Sequence, residues 1–259
     1  MIRDIVSDFH GTLYRDLNEG GVMGYIGKSA LKDAAASLRP IRTPALGATA
    51  LLMLGEVFLY EHGRKIGYDT IYRHFNKLVM SGLPEYSVRS YARKYARREK
   101  TQGRLDPRML MPIQHAHNEG ARTAILSTGY NESISAILDI FEADKGLPPI
   151  FDSVIANNVV TDGNGSRFAL EIYTPEQRMR TLNKYLDEIG RAPMVRKGGL
   201  VFIADNDEYF QCMDLVGSRG GRIVAPLMAT DAFKQRIAEE YDAFVPQDGQ
   251  DFENFLRKA

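Results

Sequence analysis

The sequence has almost no cysteine, no net charge and no long uninterrupted apolar run. Cys212 is the single cysteine among 259 residues, so no disulfide can form within the chain, and we expect a reducing, cytoplasmic compartment. The opening residues MIRDIVSDFH carry charges where a secretion signal needs its apolar segment. The apolar stretch 45–60 is interrupted by Glu56 and two glycines, and it is shorter than the roughly 20 residues of a membrane span. We therefore expect a buried helix over 45–60 and no membrane partner.

The zero net charge conceals an uneven distribution along the chain. Residues 17–104 contain 15 Lys and Arg against 7 Asp and Glu, whereas the remaining residues contain 18 against 26. Two regions of opposite charge are typical of two bodies that face each other across an anion site. Solvated helix faces would give the same counts, so the pattern alone leaves both interpretations open.

Hydrophobic patterning divides the chain into a helical block and an alternating block. Residues 17–101 have helical composition throughout, whereas strands and helices alternate before and after that block. This alternation predicts an α/β protein, with a Rossmann-like parallel-sheet core over 1–16 and 102–259 and an inserted all-helical domain over 17–101. The predicted strands of the core are IRDIVSD (2–8), RTAILS (122–127), FDSVIA (151–156), GLVFIAD (199–205) and RIVAPL (222–227), with a hairpin about 162–165.

Three of the predicted strands end in polar residues, namely Asp8, Ser127 and Asp205. A long helix that begins at TPEQR adds Arg178 just before the last of these strands. Because ligands bind at the carboxyl edge of an open parallel sheet, we expect these four side chains to converge there. Two acids, a hydroxyl and a cation at one edge suit Mg²⁺ and a phosphate group. Each acid taken alone is equally typical of a helix cap.

Four segments of the chain resemble the motifs of one enzyme family. That family is the haloacid dehalogenase superfamily, and within it the phosphoserine-phosphatase-like branch, which has a helical cap inserted after the first motif. The resemblance covers nearly the whole chain and assigns 17–101 to the cap. The four matching segments are Asp8-Phe9-His10-Gly11-Thr12, Ser127 in AILSTG, Arg178, and Ala204-Asp205-Asn206-Asp207-Glu208-Tyr209.

The resemblance implies a Mg²⁺-dependent phosphomonoesterase that acts on a small phosphorylated metabolite. Asp8 would attack phosphorus and form an aspartyl-phosphate, and His10 would serve as general acid and base. Metal ligands would be Asp8, the backbone carbonyl of His10, Asp205, and either Glu208 or Asp207.

The same resemblance assigns the phosphate-binding groups. The Ser127 hydroxyl and the backbone amides of Thr128 and Gly129 would receive phosphate oxygens, and Arg178 would balance their charge. Lys184 is a possible substitute for Arg178, but it lies six residues further along the same helix and faces another direction.

The chain departs from the family pattern at two positions. His10 replaces the acid that normally protonates the leaving group, and Tyr209 stands where the second acid of the last motif usually falls. Imidazole can still transfer protons near neutral pH. Three interpretations stay open: a phosphatase with an altered acid, a non-catalytic protein that binds a phosphorylated ligand or a partner, and a dehalogenase-type hydrolase.

The segment 87–100 is strongly basic and contains Tyr91 and Tyr95 one helical turn apart. One interpretation is a surface that grips a nucleotide or a nucleic-acid end. We favour the other, a solvated helix whose tyrosines pack inward. The basic residues of the segment are Arg89, Arg93, Lys94, Arg97, Arg98 and Lys100.

Overall fold

A computed structural model describes most of the predicted core and part of the segment predicted to form an inserted domain. The predicted helix over 45–60 and most of the predicted cap lie outside the described residues. Within the cap, 25–30 is helical, and so is a longer segment near its end. The described residues are 2–15, 25–30, 32–33, 83–100, 103–162, 165–169, 171–172, 174–190 and 199–258.

Five parallel strands form one sheet, and two antiparallel strands form a separate hairpin. The sheet has the order β3-β2-β1-β6-β7, and the hairpin pairs β4 with β5. This arrangement confirms the predicted parallel sheet and the predicted hairpin. The strands are β1 (Asp4–Ser7), β2 (Arg122–Tyr130), β3 (Ser153–Asn157), β4 (Val159–Asp162), β5 (Gly165–Phe168), β6 (Leu200–Ile203) and β7 (Arg222–Val224).

Helices connect the strands and cover both faces of the sheet, and several begin at a side-chain cap. Thr174 caps α4 in a reciprocal capping box with Gln177, and Thr230 caps α6. The helices are α1 (Glu85–Lys100), α2 (Pro107–Asn118), α3 (Asn131–Lys145), α4 (Pro175–Glu188), α5 (Phe210–Ser218), α6 (Asp231–Tyr241) and α7 (Gly249–Lys258), with a short 3₁₀ turn at Asp207–Tyr209.

The register of the central strands brings the ends of β1 and β6 level with the same part of β2. Ser7 in β1 lies opposite Ile125 in β2 and Ile203 in β6. Beyond this level β1 and β6 end, whereas β2 continues beside β3 to Tyr130. The residues that follow these three positions therefore lie side by side at one edge of the sheet.

Side chains of β1 alternate between two cores, one on each face of the sheet. Ile5 belongs to the core shared with α1, α2, α3 and α7, whereas Val6 belongs to the core shared with α4, α5 and α6. Cys212 is fully buried in the second core. The sheet is therefore buried on both faces, which leaves its edges and loops for ligands.

Helix α1 packs through its tyrosines and exposes its basic residues. Tyr91 and Tyr95 are buried in the core that α1 shares with α3, whereas Arg93 and Arg97 are exposed. This arrangement matches the solvated-helix interpretation of the segment 87–100. Over the residues that the structure describes, no helix is long and apolar enough to cross a membrane.

Candidate active site

The loop after β1 folds back on itself and holds Asp8 at the edge of the sheet. The Asp8 amide donates to the Ile203 carbonyl (2.9 Å), so the residue stays tied to β6 after the strand has ended. The Gly11 amide donates to the Tyr14 carbonyl (2.8 Å), and Gly11 has a φ of 77°. Because side-chain-bearing residues rarely adopt this conformation, the glycine of the first motif is required by the turn.

The Asp8 carboxylate is buried and receives two side-chain contacts. The Tyr209 hydroxyl donates to Asp8 Oδ1 at 2.6 Å, and the Thr12 hydroxyl lies 3.4 Å from Asp8 Oδ2. The Tyr209 hydroxyl also lies 3.3 Å from the Leu126 carbonyl oxygen. The Phe9 amide also donates to this carboxylate, and the shortest side-chain contact is the one that Tyr209 makes with Oδ1.

Asp205 leaves the sheet beside Asp8, and burial makes both carboxyl groups easier to protonate. Burial and the nearby Asp205 charge raise the pKa of Asp8 well above its usual range, although the Tyr209 hydroxyl and Arg178 oppose this shift. Burial raises the pKa of Asp205 to about 6, with a further contribution from the Glu208 charge. Without a nearby cation, these two carboxyl groups are therefore protonated at a higher pH than ordinary aspartates.

Arg178 is buried in the first turn of α4 and turns its guanidinium toward the carboxylates. Its Cζ atom lies 4.7 Å from the centre of the Tyr209 ring, a cation–π distance. Nη2 forms an ion pair with Glu208 Oε2 at 2.8 Å. Within the described part of the chain, neither Nε nor Nη2 has an aligned hydrogen-bond acceptor. Because buried donors rarely stay unpaired, this guanidinium suits an anionic ligand.

The two acidic residues after Asp205 that the sequence offers as metal ligands each pair with an arginine. Glu208, predicted as a metal ligand, is 65% exposed and pairs with Arg178. Asp207, the predicted alternative, is 62% exposed and pairs with Arg236 at 2.8 Å. Tyr209, the last residue of the 3₁₀ turn, is buried and directs its hydroxyl to Asp8. Both acids are therefore engaged with arginines rather than with the Asp8–Asp205 pair.

The choice between Arg178 and Lys184 is decided by the direction of α4. Arg178 is buried beside Asp8, whereas the Lys184 side chain is 78% exposed and lies 3.8 Å from Glu188. The structure thus brings Arg178 to the site and leaves Lys184 on the outer face of the helix.

Ser127, Thr128 and Gly129 lie in the last part of β2, where the pairing with β3 shifts in register, and the His10 ring packs against this segment. The Ser127 hydroxyl accepts from the Gly129 amide (3.2 Å) and lies 3.4 Å from His10 Nδ1. The His10 ring also meets Phe9 and Tyr14 edge to face, at centroid distances of 5.2 and 5.9 Å. These contacts place the imidazole beside the segment predicted to bind phosphate.

Gly129 leaves the space that the His10 ring occupies. A Cβ atom at this position would lie 2.5 Å from His10 Cε1 and 3.1 Å from Nδ1. Real Cβ atoms do not approach other atoms so closely. The His10 ring can therefore occupy its observed position only because residue 129 has no side chain.

Asn157, at the end of β3, links the Ser127–Gly129 segment of β2 to residues 171–172, which precede α4. Its Nδ2 donates to the Thr128 carbonyl at 2.7 Å, and its Oδ1 accepts from the amides of Glu171 and Ile172 at 2.9 and 3.0 Å. All the side-chain groups of this buried amide are therefore engaged with backbone. The contacts couple the position of this part of β2 to the residues that lead into the helix of Arg178.

Sequence reasoning missed the roles of Asn157 and Tyr209 in this geometry. Asn157 has the same signal as Asp8 and Ser127, a polar residue that ends a buried strand, and could have been found from it. Tyr209 was identified only as a missing acid, because nothing in the sequence gives the direction of its side chain.

The residues present fit a Mg²⁺ ion that has few protein ligands. Among the described residues, no group of three His, Cys, Asp or Glu side chains could hold a metal ion. The neighbouring carboxyls of Asp8 and Asp205 nevertheless have raised pKa values, and a divalent cation would offset their charge. Mg²⁺ commonly binds through one or two carboxylates and keeps several waters, so this pair is a sufficient donor set.

Comparison with known proteins gives structural neighbours only. No family model matches the chain, and no curated protein matches it. A protein of unknown function from Bordetella pertussis Tohama I is 13% identical with a TM-score of 0.60, over 95% of this chain and 98% of that one. A substrate-bound phosphoserine phosphatase is 15% identical with a TM-score of 0.53, over 95% and 93%. A cytosolic 5′-nucleotidase IIIB bound to cytidine is 14% identical with a TM-score of 0.55, over 99% and 85%.

These neighbours establish the fold of the chain. Its five-stranded parallel sheet flanked by helices is the Rossmann-like α/β fold that these neighbours share. The α/β fold class predicted from the sequence is therefore confirmed. Identities of 13–15% leave the activity to be argued from the site itself.

Gly129→Ala should displace the His10 ring while leaving the protein folded. The new Cβ atom would meet the end of a side chain that can rotate, so we expect a change of about 1 kcal/mol or less in the free energy of unfolding. The imidazole resonances of His10 should shift in a ¹H–¹⁵N spectrum. Gly217→Ala is a suitable control because no atom lies within 4 Å of a Cβ placed there. Unchanged His10 resonances in Gly129→Ala would contradict the observed packing.

Asp205→Asn should stabilise the metal-free protein at pH 7.5. A folded-state pKa of about 6 lies above the usual 3.8, so the ionised carboxylate opposes folding. This cost is full above a pH of about 6, declines as pH falls from about 6 to 3.8, and is absent below 3.8. We expect the free energy of unfolding to rise by on the order of 2 kcal/mol, which is below the maximum that this pKa shift allows. The measurement is chemical unfolding in EDTA at several pH values, as a difference from the wild type. Asp207→Asn, at an exposed ion pair, is the control; a loss of stability in Asp205→Asn would refute the interpretation.

Proposed function

We propose that this protein is a Mg²⁺-dependent phosphomonoester hydrolase of the haloacid dehalogenase type, acting through an aspartyl-phosphate on Asp8. The observation that carries the proposal is the buried Asp8 carboxylate, set beside the Ser127 hydroxyl and a buried arginine whose Nε has no acceptor among the described residues. A nucleophile, a phosphate-binding cation and a proton-transfer group thus meet at one edge of the sheet. Asp8 is the nucleophile, Arg178 is the cation, assisted by the Ser127 hydroxyl, and His10 is the proton-transfer group.

In the first step, an oxygen of Asp8 attacks the phosphorus atom of the substrate. A P–O bond forms to the carboxylate, and the ester P–O bond breaks with its electron pair going to the leaving oxygen. His10 donates a proton to that oxygen, so an alcohol departs. Arg178 and the Ser127 hydroxyl hold the phosphoryl oxygens in place during the transfer.

In the second step, water hydrolyses the aspartyl-phosphate. His10, now neutral, accepts a proton from the water, whose oxygen attacks phosphorus. The bond between phosphorus and Asp8 breaks, which restores the carboxylate and releases inorganic phosphate. One imidazole thus returns to its starting protonation state after each turnover.

The carboxylate pair gives the site its need for a cation. Asp8 and Asp205 would hold Mg²⁺ together with the His10 carbonyl and water, as the resemblance implies. When bound, the ion would neutralise charge between the nucleophile and the anionic substrate. We place Glu208 beside Arg178 instead, in accordance with its ion pair.

We propose a small phosphorylated metabolite as the substrate and the cytoplasm as the compartment. A phosphoserine phosphatase and a 5′-nucleotidase share the fold, so phosphoserine and nucleoside 5′-monophosphates are the first compounds to test. The inserted domain over 17–101 is proposed as the cap that selects among them. The single buried cysteine accords with a reducing compartment.

The proposal predicts Mg²⁺-dependent phosphate release that requires Asp8. Release would be measured from p-nitrophenyl phosphate, phosphoserine, sugar phosphates and nucleoside 5′-monophosphates, in Mg²⁺ or EDTA. Asp8→Asn removes the attacking oxygen and should lower turnover by at least about 10³-fold. Asp139→Asn makes the same change at an exposed position on α3 and should behave as wild type.

Other outcomes of this experiment identify other functions. Stabilisation by phosphorylated ligands without turnover would indicate a non-catalytic binding protein. Halide release from a haloacid without Mg²⁺ would indicate a dehalogenase. Equal phosphate release by wild type and Asp8→Asn would remove Asp8 from the mechanism.

His10→Asp should move the pH dependence of kcat/KM for an alkyl phosphate toward lower pH. The leaving oxygen needs a protonated acid, so kcat/KM falls as pH rises through the pKa of that acid. A carboxyl has a reference pKa of about 3.9 against about 6.5 for imidazole. With p-nitrophenyl phosphate, whose leaving group needs little protonation, the shift should be smaller. An unchanged alkyl-phosphate profile would exclude His10 as the acid, and His115→Gln is the control.

A further inference from the structure

Tyr209 lies in the centre of the site without a part in the two steps described above. It closes the 3₁₀ turn that follows β6, where the Asn206 side chain accepts from the Glu208 amide at 3.0 Å. The ring packs against Phe202 at a centroid distance of 5.9 Å and against Arg178. Both neighbours are buried, so the ring has a fixed position.

The hydroxyl of Tyr209 is directed at the proposed nucleophile rather than at solvent. It lies 2.6 Å from Asp8 Oδ1 and 3.3 Å from the Leu126 carbonyl oxygen, and both of these atoms are acceptors. A phenol has one proton to donate, and the shorter contact to the carboxylate marks where it goes. A phenylalanine ring could make the same packing contacts. The contact with Asp8 is therefore what the hydroxyl of tyrosine adds.

This contact distinguishes the two oxygens of Asp8. Oδ1 is held by a short hydrogen bond, whereas the contact of Oδ2 with the Thr12 hydroxyl is 3.4 Å long. A hydrogen bond to one oxygen restricts rotation of the carboxylate and directs the other oxygen. Restricting a reacting group in this way removes part of the entropic cost of reaching the transition state.

We propose that Tyr209 is a positioning residue for the nucleophile: its hydroxyl holds Asp8 Oδ1 and thereby presents Oδ2 to the phosphorus atom. This inference rests on the proposed hydrolysis through Asp8. Tyr209 performs this role without adding charge, whereas an acid at the same position would place a third carboxylate beside Asp8 and Asp205. The ring also packs against the Arg178 guanidinium in a cation–π contact. The Tyr209 side chain therefore contacts both Asp8 and Arg178.

Tyr209→Phe tests the proposal because it removes the hydroxyl and retains the ring. We expect kcat/KM for p-nitrophenyl phosphate to fall by about 10- to 100-fold, the range for losing a hydrogen bond to a charged group. The inhibition constant for inorganic phosphate should change by less than about threefold, because the hydroxyl contacts Asp8 and not the ligand. A purely structural role would alter both constants together.

Tyr241→Phe is the matched control for this variant. The Tyr241 hydroxyl also donates to a carboxylate, that of Asp214 at 3.0 Å, but at the exposed end of α6. Removing it should leave both constants at their wild-type values.

A second measurement detects the contact without turnover. 3-Fluorotyrosine placed at position 209 retains the hydroxyl, so folding is not at risk, and its ¹⁹F resonance reports the hydrogen bond. We expect the resonance to move when Asp8→Asn replaces the acceptor and to stay in place when Asp139→Asn is made instead. A resonance unmoved by Asp8→Asn would overturn the proposed contact.

The outcomes separate this inference from the proposed function. Turnover that depends on Asp8 but is unchanged in Tyr209→Phe would overturn the positioning role and leave the hydrolase intact. Absence of Asp8-dependent turnover in the wild type would overturn both. Reduced kcat/KM in Tyr209→Phe with an equal loss of phosphate binding would overturn the positioning role in favour of a structural one.

Discussion

The Tyr209 hydroxyl meets the Asp8 carboxylate inside the protein, and the site is arranged around the cost of burying that charge. Removing a carboxylate from water is unfavourable unless donors or cations replace the water. Here a phenol, a backbone amide and a buried guanidinium supply part of that replacement. Asp205 adds a second carboxylate and raises the pKa of Asp8 further. Arg178 does not balance the charge of both carboxylates. A site with this excess of negative charge is suited to a divalent cation, which would in turn attract an anionic ligand.

The backbone locates these groups before any side chain contributes. Equal register of β1 with its two neighbours brings Asp8, Asp205 and Ser127 to one level, since Asp8 and Asp205 follow β1 and β6 and Ser127 lies just beyond the part of β2 that pairs with β1. Glycine is required at two points around this edge. Gly11 allows the turn that follows Asp8, and Gly129 leaves space for the His10 ring beside Ser127.

The two departures from the family motifs change the charge of the site in the same direction. His10 and Tyr209 stand where acids are usual, so each substitution removes a carboxylate from the neighbourhood of Asp8. Glu208 and Asp207 do not replace them, because both are paired with arginines. Asp8 and Asp205 are consequently the acids left at the centre of the site, accompanied by an imidazole that can transfer protons and a phenol that can donate a hydrogen bond.

The sequence by itself determined the parallel sheet, the polar residues near the ends of its strands and the fact that these residues lie close together. Strand periodicity and the shared carboxyl edge of parallel strands are local and topological properties, so Asp8, Ser127 and Asp205 could be placed together without coordinates, and spacing favoured Arg178 over Lys184. The tertiary structure alone decided where the side chains of the last motif point. Tyr209 turns inward to Asp8 and Glu208 outward to Arg178 although they are adjacent in sequence, because a 3₁₀ turn has no long periodic pattern and its side-chain directions depend on packing against α4 and β6. The approach of His10 to Gly129 and the bridge made by Asn157 were likewise fixed by contacts between segments distant in sequence.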